Sequence, residues 1–133
     1  YQGIADPTAR VDKLLTECRD VSEPLVLVGS SMGGHVATAA AGRLRAIGLF
    51  VLAPAYYMPG YEDLTPDAPG LPVSIVHGWR DDVVPVENSI RFAAACKASL
   101  HILDGDHRLT DNIAEINGLL RQFLLRLTGQ EHS

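Results

Sequence analysis

The 133-residue sequence predicts one α/β domain, a mostly parallel sheet with helices on both faces. Three observations lead there. Four short, continuously apolar runs are present, as expected of strands buried on both faces of a parallel sheet. Segments of helical length and pattern separate most of them. The resulting order is helix, then strand–helix–strand–loop–strand–helix–strand–helix, the alternation of a parallel sheet with crossover helices. No internal repeat, linker or low-complexity stretch divides the chain, and its length suits a single domain.

Asp6-Pro7 is a helix start, a capping residue before a proline in the first turn. Val11, Leu14, Leu15 and Cys18 then mark one apolar helical face. Leu25, Val26, Leu27 and Val28 follow Pro24 and end at Gly29, which predicts a strand buried on both sides. Residues 32–45, rich in alanine and other small residues, suit a tightly packed helix. Residues 47–53 form a second strand candidate, stopped by Pro54, and residues 73–76 a third. Pro85 opens a helix over 86–98, with Ile90, Ala93, Ala94 and Lys97 along one side. Residues 100–103 are the fourth strand candidate. Ile113, Ile116, Leu120, Phe123, Leu124 and Leu127 form the stripe of a last helix, capped by Thr110 or Asp111. The one long connection, from Pro54 to Leu71, contains Tyr56, Tyr57, Met58 and Tyr61.

Composition narrows the function. Hydrophobic residues make up 47% and charged residues 20%, the balance of a globular protein. A net charge of −5 with scattered basic residues argues against nucleic acid, since no patch could neutralise a row of phosphates. No apolar run approaches a membrane span, so no membrane partner is expected. Cys18 and Cys96 sit among apolar residues of predicted helices and read as reduced core thiols, pointing to a reducing, cytoplasmic setting, with a single disulfide the alternative.

Gly29-Ser30-Ser31-Met32-Gly33 fits G-x-S-x-G where a buried strand gives way to a helix. A serine on so sharp a turn needs neighbours lacking Cβ atoms, and Gly34 extends the close packing. Ser31 would project its Oγ above the sheet edge, beside a helix N-terminus that favours developing negative charge. The Met32 N–H is the natural oxyanion donor. The competing reading is a helix-capping serine in a phosphate-binding turn. Against it stand His77-Gly78-Trp79-Arg80-Asp81-Asp82-Val83-Val84-Pro85 after the third strand and Gly105-Asp106-His107 after the fourth. Both place their side chains on the rim that carries Ser31, where open α/β sheets bind ligands. Serine, acid, histidine is also the chain order of one large class of hydrolases.

These three segments resemble those of small, cap-less α/β-hydrolases, from about Leu25 to the final helix. The resemblance implies that Ser31 is the nucleophile, His107 the general base and Asp81 the acid, with adjacent Asp82 the alternative. It implies an esterase or thioesterase acting on a small acyl substrate, with no metal or cofactor. Ser30 stands where the family often has histidine. His35 reads as packed or supporting, and His77 as a local hydrogen-bonding residue. His101 and His132 are not site candidates. Asp104 and Asp106 read as loop or turn carboxylates. Tyr56, Tyr57 and Tyr61 either line an acyl or alcohol pocket or pack on the sheet edge. Too few residues separate Pro54 from Pro72 for a helical lid, so the site should be open.

A reading from another class is a non-catalytic module of the same fold that binds a small molecule or a protein. The resemblance also implies further strands before the one ending at Gly29, one of them pairing beside it and supplying the second oxyanion donor. Only 24 residues precede Leu25, and the chain begins at Tyr1. The expectation is that N-terminal strands are lacking. The strand from Leu25 to Val28 would then be an open edge, covered by a missing segment or by another chain, and the isolated polypeptide would be weakly active and self-associating.

Overall fold

Each apolar run becomes a strand. The computed structural model describes residues 8–18, 24–60 and 62–129. Strands β1 (Val26–Ser30), β2 (Gly48–Leu52), β3 (Val73–Gly78) and β4 (Ser99–Leu103) lie side by side in chain order, every pair parallel. Helices α1 (Thr8–Cys18), α2 (Met32–Ala41), α3 (Val86–Cys96) and α4 (Ile113–Thr128) complete the architecture, with 3₁₀ turns at Glu62–Leu64 and Thr110–Asn112. The Asp6-Pro7 helix start lies outside the described residues.

A parallel strand order that advances in one direction sends its right-handed crossovers to the same face. Ala37 and Ala41 of α2 and Phe92 and Ala93 of α3 accordingly share one core with Leu27, Leu49, Val51 and Ile75. Val11, Leu14 and Leu15 of α1 pack on Val36 and Ala40 of α2. On the opposite face, Ile116 and Phe123 of α4 meet Phe50 and Val76. Among the described residues of the β2–β3 connection there is no α-helix, only the turn at Glu62–Leu64.

Several sequence expectations need correction. Only Leu27 of β1 is buried, and Val28 is 55% exposed, so this strand is not covered on both faces. The α4 layer reaches Val26 but leaves Val28 open. The uninterrupted burial expected of parallel strands is found at the centre, in β3 and in β2 up to Val51. Helix α2 stops at Ala41, and the chain turns through Arg45 at φ 55°. Helix α3 stops at Cys96, where Lys97 takes a left-handed conformation and donates its N–H to the Ala93 carbonyl. Its buried face runs through Val86, Ser89, Phe92 and Ala93, while Ile90, Ala94 and Lys97 face outward. Asn112, not Thr110 or Asp111, precedes α4. Of the α4 stripe, Ile113 is 57% exposed and Leu124 is also exposed, while Ile116, Leu120, Phe123 and Leu127 face the core. Both cysteines are free and half-buried, Cys96 packing against the core shared by α2 and α3. Among the described residues no helix is long and apolar enough to cross a membrane.

Candidate active site

Three strand ends deliver side chains to one rim. Ser31 follows β1 directly, Asp81 lies three residues past β3, and His107 four residues past β4. Main-chain pairing continues beyond the strands and ties this rim together. The N–H groups of Ser31, Ala53 and Trp79 donate to the carbonyls of Leu52, Val76 and Leu103 at 2.9, 2.7 and 2.9 Å.

Ser31 has φ 54° and ψ −121°, a conformation that persists only where its surroundings enforce it. They do so through its carbonyl, which accepts from the N–H groups of Gly34, His35 and Ala55. A Cβ at residue 29 would strike the Gly33 carbonyl, and one at residue 34 would sit 3.1 Å from Pro54. Gly33 itself faces open space, so close packing accounts for Gly29 and Gly34 but not for Gly33. Met32 is the first residue of α2, and its N–H therefore has no acceptor within the helix.

The Ser31 Oγ is 3.1 Å from His107 Nε2, and His107 Nδ1 is 2.7 Å from Asp81 Oδ2. A carboxylate only accepts, so the Nδ1–H donates to it and Nε2 is left with its lone pair towards the serine. The other carboxylate oxygen, Oδ1, accepts from the N–H groups of Val83 and Val84 at 2.8 and 2.7 Å. Burial by itself would raise the Asp81 carboxyl. The hydrogen bonds from His107, Val84 and Val83 outweigh it and hold the group below its ordinary value.

The loops bearing Asp81 and His107 meet backbone to backbone. Arg80 N–H donates to the Gly105 carbonyl at 2.9 Å, and a Cβ on Gly78 would collide with that same carbonyl. Asp106 forms the turn that presents His107, its Oδ1 accepting from the N–H groups of Arg108 and Leu109. Asp104 is exposed and pairs with Arg80 at 2.8 Å. Asp82 is exposed and stands outside the Ser31–His107–Asp81 row, so Asp81 is the carboxylate brought to the histidine.

His35 is buried and its Nδ1–H donates to the Ala55 carbonyl at 3.2 Å, which fits a packed, supporting residue; burial lowers its pKa. His101 sits on β4, and His132 lies outside the described residues. Tyr56 does not line a pocket. It is 0% exposed and stacked on Phe92, with ring centroids 4.0 Å apart. Because the Thr38 hydroxyl is spent on the Gly34 carbonyl, the Tyr56 O–H donates to Thr38 Oγ1 at 2.6 Å. Burial pushes this phenol well up from its ordinary value. Tyr57 is half-buried, with the Arg91 guanidinium 3.8 Å over its ring. Tyr61 lies outside the described residues. Among those described, no group of three His, Cys, Asp or Glu side chains could hold a metal ion.

Sequence reasoning undervalued His77. It is fully buried, bonded on one side to Ser89 of α3 and on the other to the acid loop. Its signal was Ser89, a polar residue at the helical spacing of Val86 and Ala93.

An open parallel sheet with a constrained serine turn and a serine–histidine–carboxylate row on its carboxyl rim defines a hydrolase-type α/β protein. The chain belongs to the alpha/beta hydrolase family, whose model matches residues 2–127. No curated protein matches it. Among solved structures, it is similar to a Xanthomonas campestris protein described as a hydrolase of the alpha/beta superfamily. The two share 30% identity with a TM-score of 0.81 over 91% of this chain and 70% of that one. It is also similar in fold to Est1E from Butyrivibrio proteoclasticus, at 19% identity and TM-score 0.76 over 90% and 68% of the two chains. The esterase domain of a Rhodothermus marinus protein matches at 21% identity and TM-score 0.72, over 87% and 68%. The family match and the 30%-identical structure support a hydrolytic function.

Proposed function

We propose that the protein is a serine hydrolase that cleaves a small ester or thioester through an acyl-serine intermediate. The observation that carries this reading is the lone pair of His107 Nε2, 3.1 Å from the Ser31 hydroxyl, with Nδ1–H fixed by Asp81. His107 takes the serine proton as Oγ attacks the acyl carbon, then returns it to the leaving alcohol or thiol. Water repeats the sequence and releases the acid. Asp81 stabilises the imidazolium formed in each half. The Met32 N–H, free of helical pairing, faces the oxyanion as charge develops.

Among its described residues the β2–β3 connection holds a three-residue 3₁₀ turn and no helical lid, which favours small, soluble acyl substrates. Tyr57 is its half-buried tyrosine and the candidate wall for the acyl or alcohol group. The mechanism calls for no cofactor, and the free thiols suit a reducing, cytoplasmic compartment.

A fluorophosphonate probe tests the reading without knowledge of the substrate. The wild-type protein is expected to label, and Ser31→Ala to abolish both labelling and hydrolysis of a chromogenic ester, a loss of about 10⁴-fold or more. Equal labelling of the variant refutes the assignment of Ser31. Absence of labelling in the folded wild type favours a binding module instead.

A further inference from the structure

His77 is buried on β3, yet it touches the Asp81 carboxylate and one of its main-chain supports, Val84. Its Nε2 lies 2.8 Å from the Val84 carbonyl and 3.1 Å from Asp81 Oδ2. Its Nδ1 lies 2.6 Å from the Ser89 hydroxyl. A carbonyl and a carboxylate only accept, so the proton belongs on Nε2, and Ser89 donates to Nδ1. Val84, whose carbonyl receives the His77 proton, gives its own N–H to Asp81 Oδ1 at 2.7 Å. The positive end of the Nε2–H bond therefore flanks one carboxylate oxygen directly and holds, through Val84, the residue that fixes the other.

We propose that His77, its tautomer set by Ser89, is a positioning residue that fixes Asp81 and limits how strongly Asp81 draws the His107 proton. This rests on the catalytic reading of Ser31, His107 and Asp81. The groups facing His77 are Ser89 from α3 and Asp81 and Val84 from the acid loop. Those at His107 are Asp81 and Ser31, with Asp106 and Arg108 adjacent in the chain. A donor beside a carboxylate lowers its basicity. Without that donor, Asp81 becomes the stronger acceptor, and the His107 imidazolium persists to higher pH.

The test has one arm that needs no turnover. In ¹⁵N-labelled wild-type protein, the long-range ring spectrum of His77 should show a protonated Nε2 and a bare Nδ1. A protonated Nδ1 with bare Nε2 overturns the proposal, even if the protein hydrolyses nothing. The second arm follows the His107 Cε1–H resonance and kcat/KM against pH. His77→Leu should move both profiles to higher pH and lower kcat by about 10- to 100-fold with little change in KM. His77→Gln, which returns an N–H near the Nε2 position, should restore most of both. If His77→Leu lowers only the melting temperature and leaves the His107 titration in place, the role is structural and the proposal fails. Should that variant not fold, the wild-type tautomer decides. Failure of probe labelling at Ser31 would remove the catalytic reading while leaving the His107 titration to report the coupling.

Discussion

Asp81 keeps its charge where burial works against it. Its side chain is shut away from solvent, and donated hydrogen bonds do most to offset the lost hydration. Two come from the main chain and one from His107, so the carboxylate is fixed in direction before it acts on the imidazole. Asp82, next in sequence, is exposed and has none of this support in the Ser31 row. The two residues are alike in sequence, and what separates them is the turn that brings Val83 and Val84 back over Asp81. Asp81→Asn should therefore reduce kcat by about 10³–10⁴-fold, because an amide no longer selects the tautomer with Nε2 free. Asp82→Asn should cost less than about tenfold. Steady-state hydrolysis of one chromogenic ester by both variants checks the ranking, and the reverse order would move the acid by one residue.

At the scale of elements, the site depends on how near two loops can come. The acid loop leaves β3 at Gly78, where a side chain would strike the histidine loop, and the histidine loop passes through Gly105, where one would strike Asn112 and Leu109. A Cβ on Gly78 would strike the Gly105 carbonyl and come 2.8 Å from that of Asp106. Gly78→Ala should separate Asp81 from His107, lowering kcat/KM by about 10²-fold along with the melting temperature. Gly118→Ala is the matched control. Nothing lies within 4 Å of its added Cβ, and alanine in a helix interior should stabilise α4 by about 0.5–1 kcal/mol. Rates and thermal melts of the pair measure the effect. Sequence periodicity located α3 and put Ile90, Ala93, Ala94 and Lys97 along one side, of which only Ala93 lies on the buried face. The true face includes Ser89, buried because His77 needs a donor there, and that pairing joins residues 12 apart on two elements. A periodic pattern treats a buried serine as a surface residue, so the same omission hid both the helix orientation and the role of His77.

For the whole molecule, chain order and strand character were legible because local signals suffice for them. Apolar runs, prolines and the G-x-S-x-G turn each act within a few residues. The serine, acid and histidine could be placed on one rim because every parallel strand presents its carboxyl end there. Burial of a particular strand is different, since it depends on what lies beside it. Leu25, Val26, Leu27 and Val28 read as a strand apolar enough to be covered on both faces; β1 is the edge of the described sheet, as expected, but Val28 is 55% exposed. Among the described residues, no strand pairs with its outer side, and β1 carries no charged side chain, proline or bulge. Its unpaired N–H and C=O groups are a template for another strand. The 133-residue polypeptide is accordingly expected to self-associate through β1, with a sedimentation coefficient that rises with concentration. Val28→Lys adds a charge to this edge at a position open to water, so it should shift the population towards monomer with little loss of melting temperature. Sedimentation velocity on both proteins over the same concentrations decides between the outcomes. A wild-type chain that stays monomeric throughout, or a lysine variant that associates equally, would rule out β1 as the pairing edge.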